Sequence, residues 1–161
     1  MYVKCPVCQM EVPSDQLALV YQSMRFAFCS EQCRERFQAT PHLYVGIPGQ
    51  KAPKQEGREL LKRRCIRLDV SLTPEQMRTL EDAITAMMGI KQLVVEEDAV
   101  TIIYDLIEAT EAQIERQLMQ TGAHLGNGWT ERLRRAWVHY TEDCEALNMQ
   151  VTNRGHHHHH S

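Results

Sequence analysis

The chain has 161 residues, of which 43% are hydrophobic but only 6% aromatic, and a formal net charge of -3 at neutral pH. That length suits one ordinary domain or two small ones, and the shortage of aromatic residues argues against a single large core. The mild negative charge excludes a general attraction to nucleic acid or membrane surfaces, and no apolar run approaches the roughly twenty residues needed to cross a bilayer.

The N-terminal stretch carries the chemistry. Cys5 and Cys8 form a C-x2-C pair, twenty residues follow, and Cys29 and Cys33 form a C-x3-C pair. A zinc-like ion takes four soft ligands at the corners of a tetrahedron, and a short turn or one turn of helix aims both sulfurs of a pair at a point about 2.3 Å away. Ser30 followed by Glu31, Gln32 and Cys33 reads as a helix N-cap and first turn, whose partial positive charge favours the thiolate forms of Cys29 and Cys33. Two disulfides or four separate buried thiols are the competing readings. Because Cys5 is preceded by only four residues, no signal peptide is expected and a reducing, cytoplasmic setting is, which favours the metal. Leu17, Leu19, Val20, Phe26 and Phe28 predict a short hairpin around Ser23-Met24-Arg25, with Phe37 and Tyr44 closing a miniature core and Arg34, Glu35 and Arg36 on a solvated helix face. About forty residues cannot fold on burial alone, so the metal acts as a staple.

The strings CPVCQMEV and VYQSMRFAFCSEQCRERFQATPHLYV resemble a YHS domain of the TRASH group over residues 3–45. These are small treble-clef-like metal modules associated with heavy-metal trafficking, resistance and sensing. The pieces that match are C-P-x-C-x-M, an aromatic before F-C-S, C-x3-C, a helix with Phe37, and P-x-x-Y at Pro41 to Tyr44. The family's Tyr-His-Ser reads Tyr21-Gln22-Ser23 here, so an imidazole role in metal exchange does not carry over.

Residues 46–62 change composition to a proline- and glycine-containing stretch that reads as a linker. Lys51, Lys54, Arg58, Lys62, Arg63 and Arg64 make it locally basic, which serves solvation first and a nucleic-acid or acidic-partner contact second. From Cys65 the periods alternate. Ile66, Leu68 and Val70 predict a strand, and Thr73-Pro74-Glu75-Gln76 is a capping box opening a helix with Met77, Leu80, Ile84, Met87 and Met88 on its apolar face. Leu93 to Val95 and Val100 to Tyr104 predict a hairpin turning at Glu96-Glu97-Asp98. Thr110-Glu111-Ala112-Gln113 is a second capping box, leading to a helix with Ile114, Leu118 and Met119 inward, and a short strand over Ala123 to Leu125 completes the set. The order β-α-β-β-α-β is the ferredoxin-like arrangement, so the fold class expected is α+β, a four-cysteine module joined to a ferredoxin-like domain over residues 63–126.

Residues 64–125 are similar to the heavy-metal-associated domain. Members that carry soft ions have C-x-x-C in the loop after the first strand, where this chain has Ser71-Leu72-Thr73-Pro74. The resemblance therefore implies a degenerate domain suited to docking, dimerisation or ligand sensing rather than to metal transfer.

Residues 127–153 predict a further helix with Leu133, Trp137, Tyr140, Cys144, Leu147 and Val151 on one stripe, expected to cover the open sheet face or to pair with a second copy. Cys144 and Cys65 read as structural cysteines, and Met77, Met87, Met88 and Met119 as core rather than a copper site. A second metal site from Cys144, His139 and Cys65 lacks a recurrent ligand spacing. Residues 154–161 hold five consecutive histidines, equally readable as a purification tag or a native metal-handling tail. No catalytic constellation stands out, so an enzyme is not expected. The expected function is metal binding in heavy-metal trafficking, resistance or sensing. Cys5, Cys8, Cys29 and Cys33 would hold Zn(II) first, or Cu(I) or another soft heavy metal, as in a metallochaperone. The expected partner is a metal transporter or regulator, or a second copy, and not nucleic acid. The alternative is a structural zinc finger for protein or nucleic-acid contacts, joined to an ACT-like ligand-sensing domain.

Overall fold

Pro6 has no amide to pair and breaks the first strand after Lys4, so the chain reverses through the first cysteine pair. In the computed structural model, which describes residues 1–126 and 128–156 but not the side chains of residues 129, 130 and 151–156, β1 (Tyr2–Lys4) pairs antiparallel with β2 (Glu11–Pro13) around that reversal. β3 (Leu19–Tyr21) and β4 (Met24–Phe26) form a second hairpin. Its two turn residues, Gln22 and Ser23, have φ of 50° and 64°, the left-handed pair that matches strand twist in a two-residue loop. α1 (Glu31–Ala39) begins at Ser30, whose hydroxyl accepts the Cys33 amide, and is followed by Pro41.

Phe37 of α1 is the centre of the small core. Its ring lies 4.9 Å from that of Phe26, 5.3 Å from Phe28, 5.7 Å from Tyr21 and 6.0 Å from Tyr44. Arg36, expected on a solvated face, is buried instead. The stretch expected as a linker over 46–62 holds turns rather than open chain. Lys54 N–H donates to the Leu43 carbonyl at 2.9 Å, Ile47 bridges to Gln50, and Ala52 is buried. Gly46 is required here, since a Cβ would stand 2.3 Å from the Gln50 carbonyl oxygen. The first compact unit accordingly runs from Met1 to Glu59 and takes in the end of the last helix from Glu145, while the second is Leu60–Cys144.

The second unit is built on a three-stranded antiparallel sheet in the order β5-β7-β6, with β5 at Leu61–Arg67, β6 at Ile90–Val95 and β7 at Ala99–Asp105. β5 starts four residues before the expected Cys65, because its inward positions at Lys62 and Arg64 are long cations that hide the alternation. α2 (Pro74–Thr85) and α3 (Glu111–Gln120) each carry the full reciprocal capping box. Ile66, Leu80, Ile84, Val100, Ile102, Tyr104, Ile114 and Leu118 form the core between sheet and helices, whereas Met119, expected inward, is half exposed. The fourth strand expected at Ala123 to Leu125 is a single bridge, Leu68 to Leu125, flanked by hydrogen bonds from Asp69 N–H to His124 O and from Gly126 N–H to Arg67 O. Buried Asp105 fastens the end of β7, its Oδ1 accepting the amides of Leu60 and Ile107 at 3.0 Å each.

The last helix, α4 (Trp129–His156), reverses the expected orientation. Leu133, Trp137, Tyr140 and Leu147 are exposed, Trp137 to 65%, while Val138, Glu142 and Ala146 are buried. The Val151 side chain, the side chains of residues 154–156 and residues 157–161 fall outside what the structure describes. The open sheet face does not receive the helix: Cys65 stays exposed there, beside a shallow depression lined by Arg63, Gln92, Val94, Thr101 and Ile103. What draws the opposite face of α4 inward is charge. Glu142 accepts the Tyr104 hydroxyl and, at 2.8 Å, the Glu111 amide, with Arg64 at 3.7 Å. Burial pushes the Glu142 acid and the Tyr104 phenol up from their ordinary values. In the first unit, the His42 amide donates to Gln150 of the same helix at 2.9 Å.

An outward Trp137 has a measurable consequence. Trp137→Ala should change the stability of the second unit by less than about 0.5 kcal/mol, as exposed positions do. Ile102→Ala, fully buried, should cost about 2–5 kcal/mol in the same denaturant titration.

Candidate metal centre

The CPVC segment is shaped by its own backbone. Gln9 N–H donates to the Cys5 carbonyl at 2.7 Å and Cys5 N–H to the Met10 carbonyl at 2.8 Å, with Gln9 at a left-handed φ of 66°. This loop turns two amides toward sulfur, that of Cys8 to Cys5 Sγ and that of Met10 to Cys8 Sγ, and each favours a thiolate. The second pair is placed by α1: Cys29 precedes the Ser30 cap and Cys33 lies in the first turn. Gln16, which carries no signal in the sequence, fixes the approach to Cys29. Its side-chain amide donates to the carbonyls of Phe28 and Cys29 at 3.0 and 3.3 Å, while its backbone carbonyl accepts the Phe28 amide at 3.0 Å.

All four ligand candidates named from the sequence come together. Cys8 Sγ is 3.3 Å from Cys29 Sγ, Cys29 Sγ is 3.4 Å from Cys33 Sγ, and the sulfurs of Cys5, Cys8, Cys29 and Cys33 all lie within 4.8 Å of one another. Sulfurs at about 2.3 Å from a tetrahedral ion are about 3.8 Å apart, whereas a disulfide needs about 2.05 Å. The cysteines are free thiols at a spacing that fits a shared ion. Cys5 and Cys33 are fully buried; Cys8 and Cys29 are partly exposed.

Crowding splits the four acidities. Cys29 is lowered to about 7, chiefly by the Cys33 thiol, and Cys5 is lowered chiefly by the Cys29 thiol. Cys8 and Cys33 are pushed up, each chiefly through Cys29. The four sulfurs therefore titrate as one coupled group rather than singly. A cation at the centre reverses that balance by attracting all four thiolates at once.

The remaining candidates fall elsewhere. Cys65 is exposed on β5, and Cys144 is half-buried on α4. His139, considered with them, instead meets Glu111 and Glu115. The Ser71 to Pro74 loop is occupied with capping: Thr73 exchanges hydrogen bonds with Gln76, and the Leu72 amide donates to the Glu97 carbonyl at 2.7 Å. His42 gave no sequence signal, yet its Nε2 lies 3.0 Å from the Tyr21 hydroxyl. An imidazole therefore reaches the tyrosine of the Tyr-Gln-Ser segment although position 22 is glutamine.

If one ion joins these sulfurs, Cys8→Ser or Cys29→Ser in zinc-loaded protein should abolish stoichiometric zinc and open residues 3–45 to proteolysis, leaving the second unit protected. Cys65→Ser and Cys144→Ser should keep one equivalent. Zinc retained in both of the first two variants excludes the four-sulfur site.

The structural assignment has a counterpart among known proteins. No curated protein and no solved structure matches the chain. A family model described as YHS domain matches residues 3–47, the segment that holds all four clustered cysteines.

Proposed function

We propose that the chain binds a soft metal ion, Zn(II) or Cu(I), through Cys5, Cys8, Cys29 and Cys33, and passes it on in heavy-metal trafficking, resistance or sensing in the cytoplasm. The observation that carries this reading is the asymmetry of the site. Cys8 and Cys29 are partly exposed residues while Cys5 and Cys33 are buried. A competing thiolate can displace the outer ligands one at a time while the inner pair retains the ion, so exchange does not require the module to open. Binding, rather than catalysis, is the chemistry that four sulfur ligands with no further open position support.

The second unit, on this reading, is a ferredoxin-like docking domain. Its strand order, its β-α-β-β-α sequence and the Leu68–Leu125 bridge on the outer side of β5 support that assignment. Its first loop has no cysteine and spends its polar groups on a helix cap, so it would recognise a transporter or regulator without taking the ion. Among the described residues no helix is long and apolar enough to cross a membrane.

The contrary reading, a structural zinc finger beside a ligand-sensing domain, draws on the inner pair, since fully buried Cys5 and Cys33 tie the site to the Phe37 core. Kinetics separates the two. Zinc-loaded protein mixed with an excess of a small dithiol chelator should release its ion in a phase that depends on chelator concentration and precedes any loss of the Phe37 core by near-ultraviolet circular dichroism. Release that coincides with unfolding and ignores chelator concentration supports the structural finger instead.

A further inference from the structure

We propose a second metal site, in the Leu60–Cys144 unit, where Glu111 and Glu115 of α3 and His139 of α4 bind a divalent first-row transition ion of borderline hardness. Glu111 and Glu115 are four residues apart on one helix and so share a face. His139 Nε2 lies 2.7 Å from Glu115 Oε2 and 3.9 Å from Glu111 Oε2, and one ligand atom from each residue falls within 4.8 Å of the others.

Glu111 is the observation that points to a ligand. It is 0% exposed, and neither of its carboxylate oxygens has a hydrogen-bond partner. The other two buried carboxylates nearby are matched. Glu142 is held by the Tyr104 hydroxyl, the Glu111 amide and Arg64. Glu115 has Arg135 at 3.5 Å on Oε1 as well as His139 on Oε2. Arg134 gives its Nε to Glu131 at 3.3 Å, and its buried Nη2 makes no hydrogen bond, so its charge reaches Glu111 and Glu115 without a direct contact. The Glu111 carboxylate thus faces the imidazole and the Glu115 carboxylate, with Arg134 acting on it through charge alone, and a buried carboxylate so placed needs either a proton or a cation.

The donor set selects the ion. Two carboxylate oxygens and one imidazole nitrogen suit Zn(II), Co(II), Ni(II), Fe(II) or Mn(II), not the Cu(I) that thiolates prefer. Arg135 leaves Oε2 as the available oxygen of Glu115. His139 would give its Nε2 lone pair to the ion and keep its proton on Nδ1. Its side chain is 35% exposed, which opens a way in from solvent.

Cobalt(II) tests the site in full-length protein whose cysteine cluster already holds one equivalent of zinc, with His156 to His160 replaced by alanine so that the tail does not compete. The expected result is one equivalent of bound cobalt with visible ligand-field bands and no thiolate-to-cobalt charge transfer. Glu111→Gln and His139→Gln should each weaken cobalt at least tenfold. Folding is read separately. Glu111→Gln removes a buried charge without changing shape, so without cobalt its thermal midpoint should match or exceed the parent's, and cobalt should raise only the parent's. No second equivalent bound, undiminished affinity in both variants, or a parent midpoint that cobalt leaves unmoved each overturns the proposal and leaves a Glu111–Glu115 pair sharing a proton.

Discussion

Four cysteine sulfurs within 4.8 Å of one another are poor neighbours unless they share a cation. With protons alone their acidities are coupled through S–H hydrogen bonds, and Cys29, lying against both Cys8 and Cys33, is at the centre of that coupling. The local structure of the first unit serves this convergence. A left-handed Gln9 closes the first knuckle, Gln16 holds the chain before Cys29, and the Ser30 cap starts α1 so that Cys33 faces inward. The aromatic cluster around Phe37 is the only sizeable apolar support beside it among the described residues. In a unit this small such a core gains much from a metal cross-link between two distant chain segments.

The second unit solves a different problem, that of buried charge. Its sheet and two capped helices enclose an ordinary aliphatic core, but α4 approaches through Glu142 and His139 rather than through its apolar stripe. Long polar side chains span a gap that leucines would have closed. Each buried carboxylate then needs a specific partner: Tyr104 and Arg64 supply those of Glu142 and Arg135 that of Glu115, whereas Glu111 accepts no hydrogen bond. Such a network fixes geometry more strictly than apolar contact does, because a hydrogen bond misplaced by an ångström leaves a group uncompensated. Burial pushes the Glu111 acid up to about 8, consistent with a group whose partners are incomplete.

The two candidate sites differ in ligand softness. Cysteine sulfurs gather in the first unit, and carboxylates with an imidazole in the second. A soft ion and a borderline one would therefore be drawn to different ends of the same chain, whatever their relative supply.

What the sequence determined by itself was everything that local spacing or local hydrogen bonding controls. The C-x2-C and C-x3-C pairs reach one point because each pair is set by a single turn. The capping boxes at Thr73 and Thr110 formed because their partners lie three residues away. The hairpin at Glu96 to Asp98 turned where alternation stopped. Tertiary structure decided what depends on distant partners. Arg64 occupies an inward strand position because Glu142, far along the chain, receives it. The Ala123 to Leu125 segment is limited to one bridge between Gly122, with φ of 94°, and the Gly126 contact to Arg67. The stripe of Leu133, Trp137 and Tyr140 read as a core face, because periodicity reports that a helix has two faces and not which one is turned inward. Here charge pairing selected the other face, and it did so through residues that no periodicity marks.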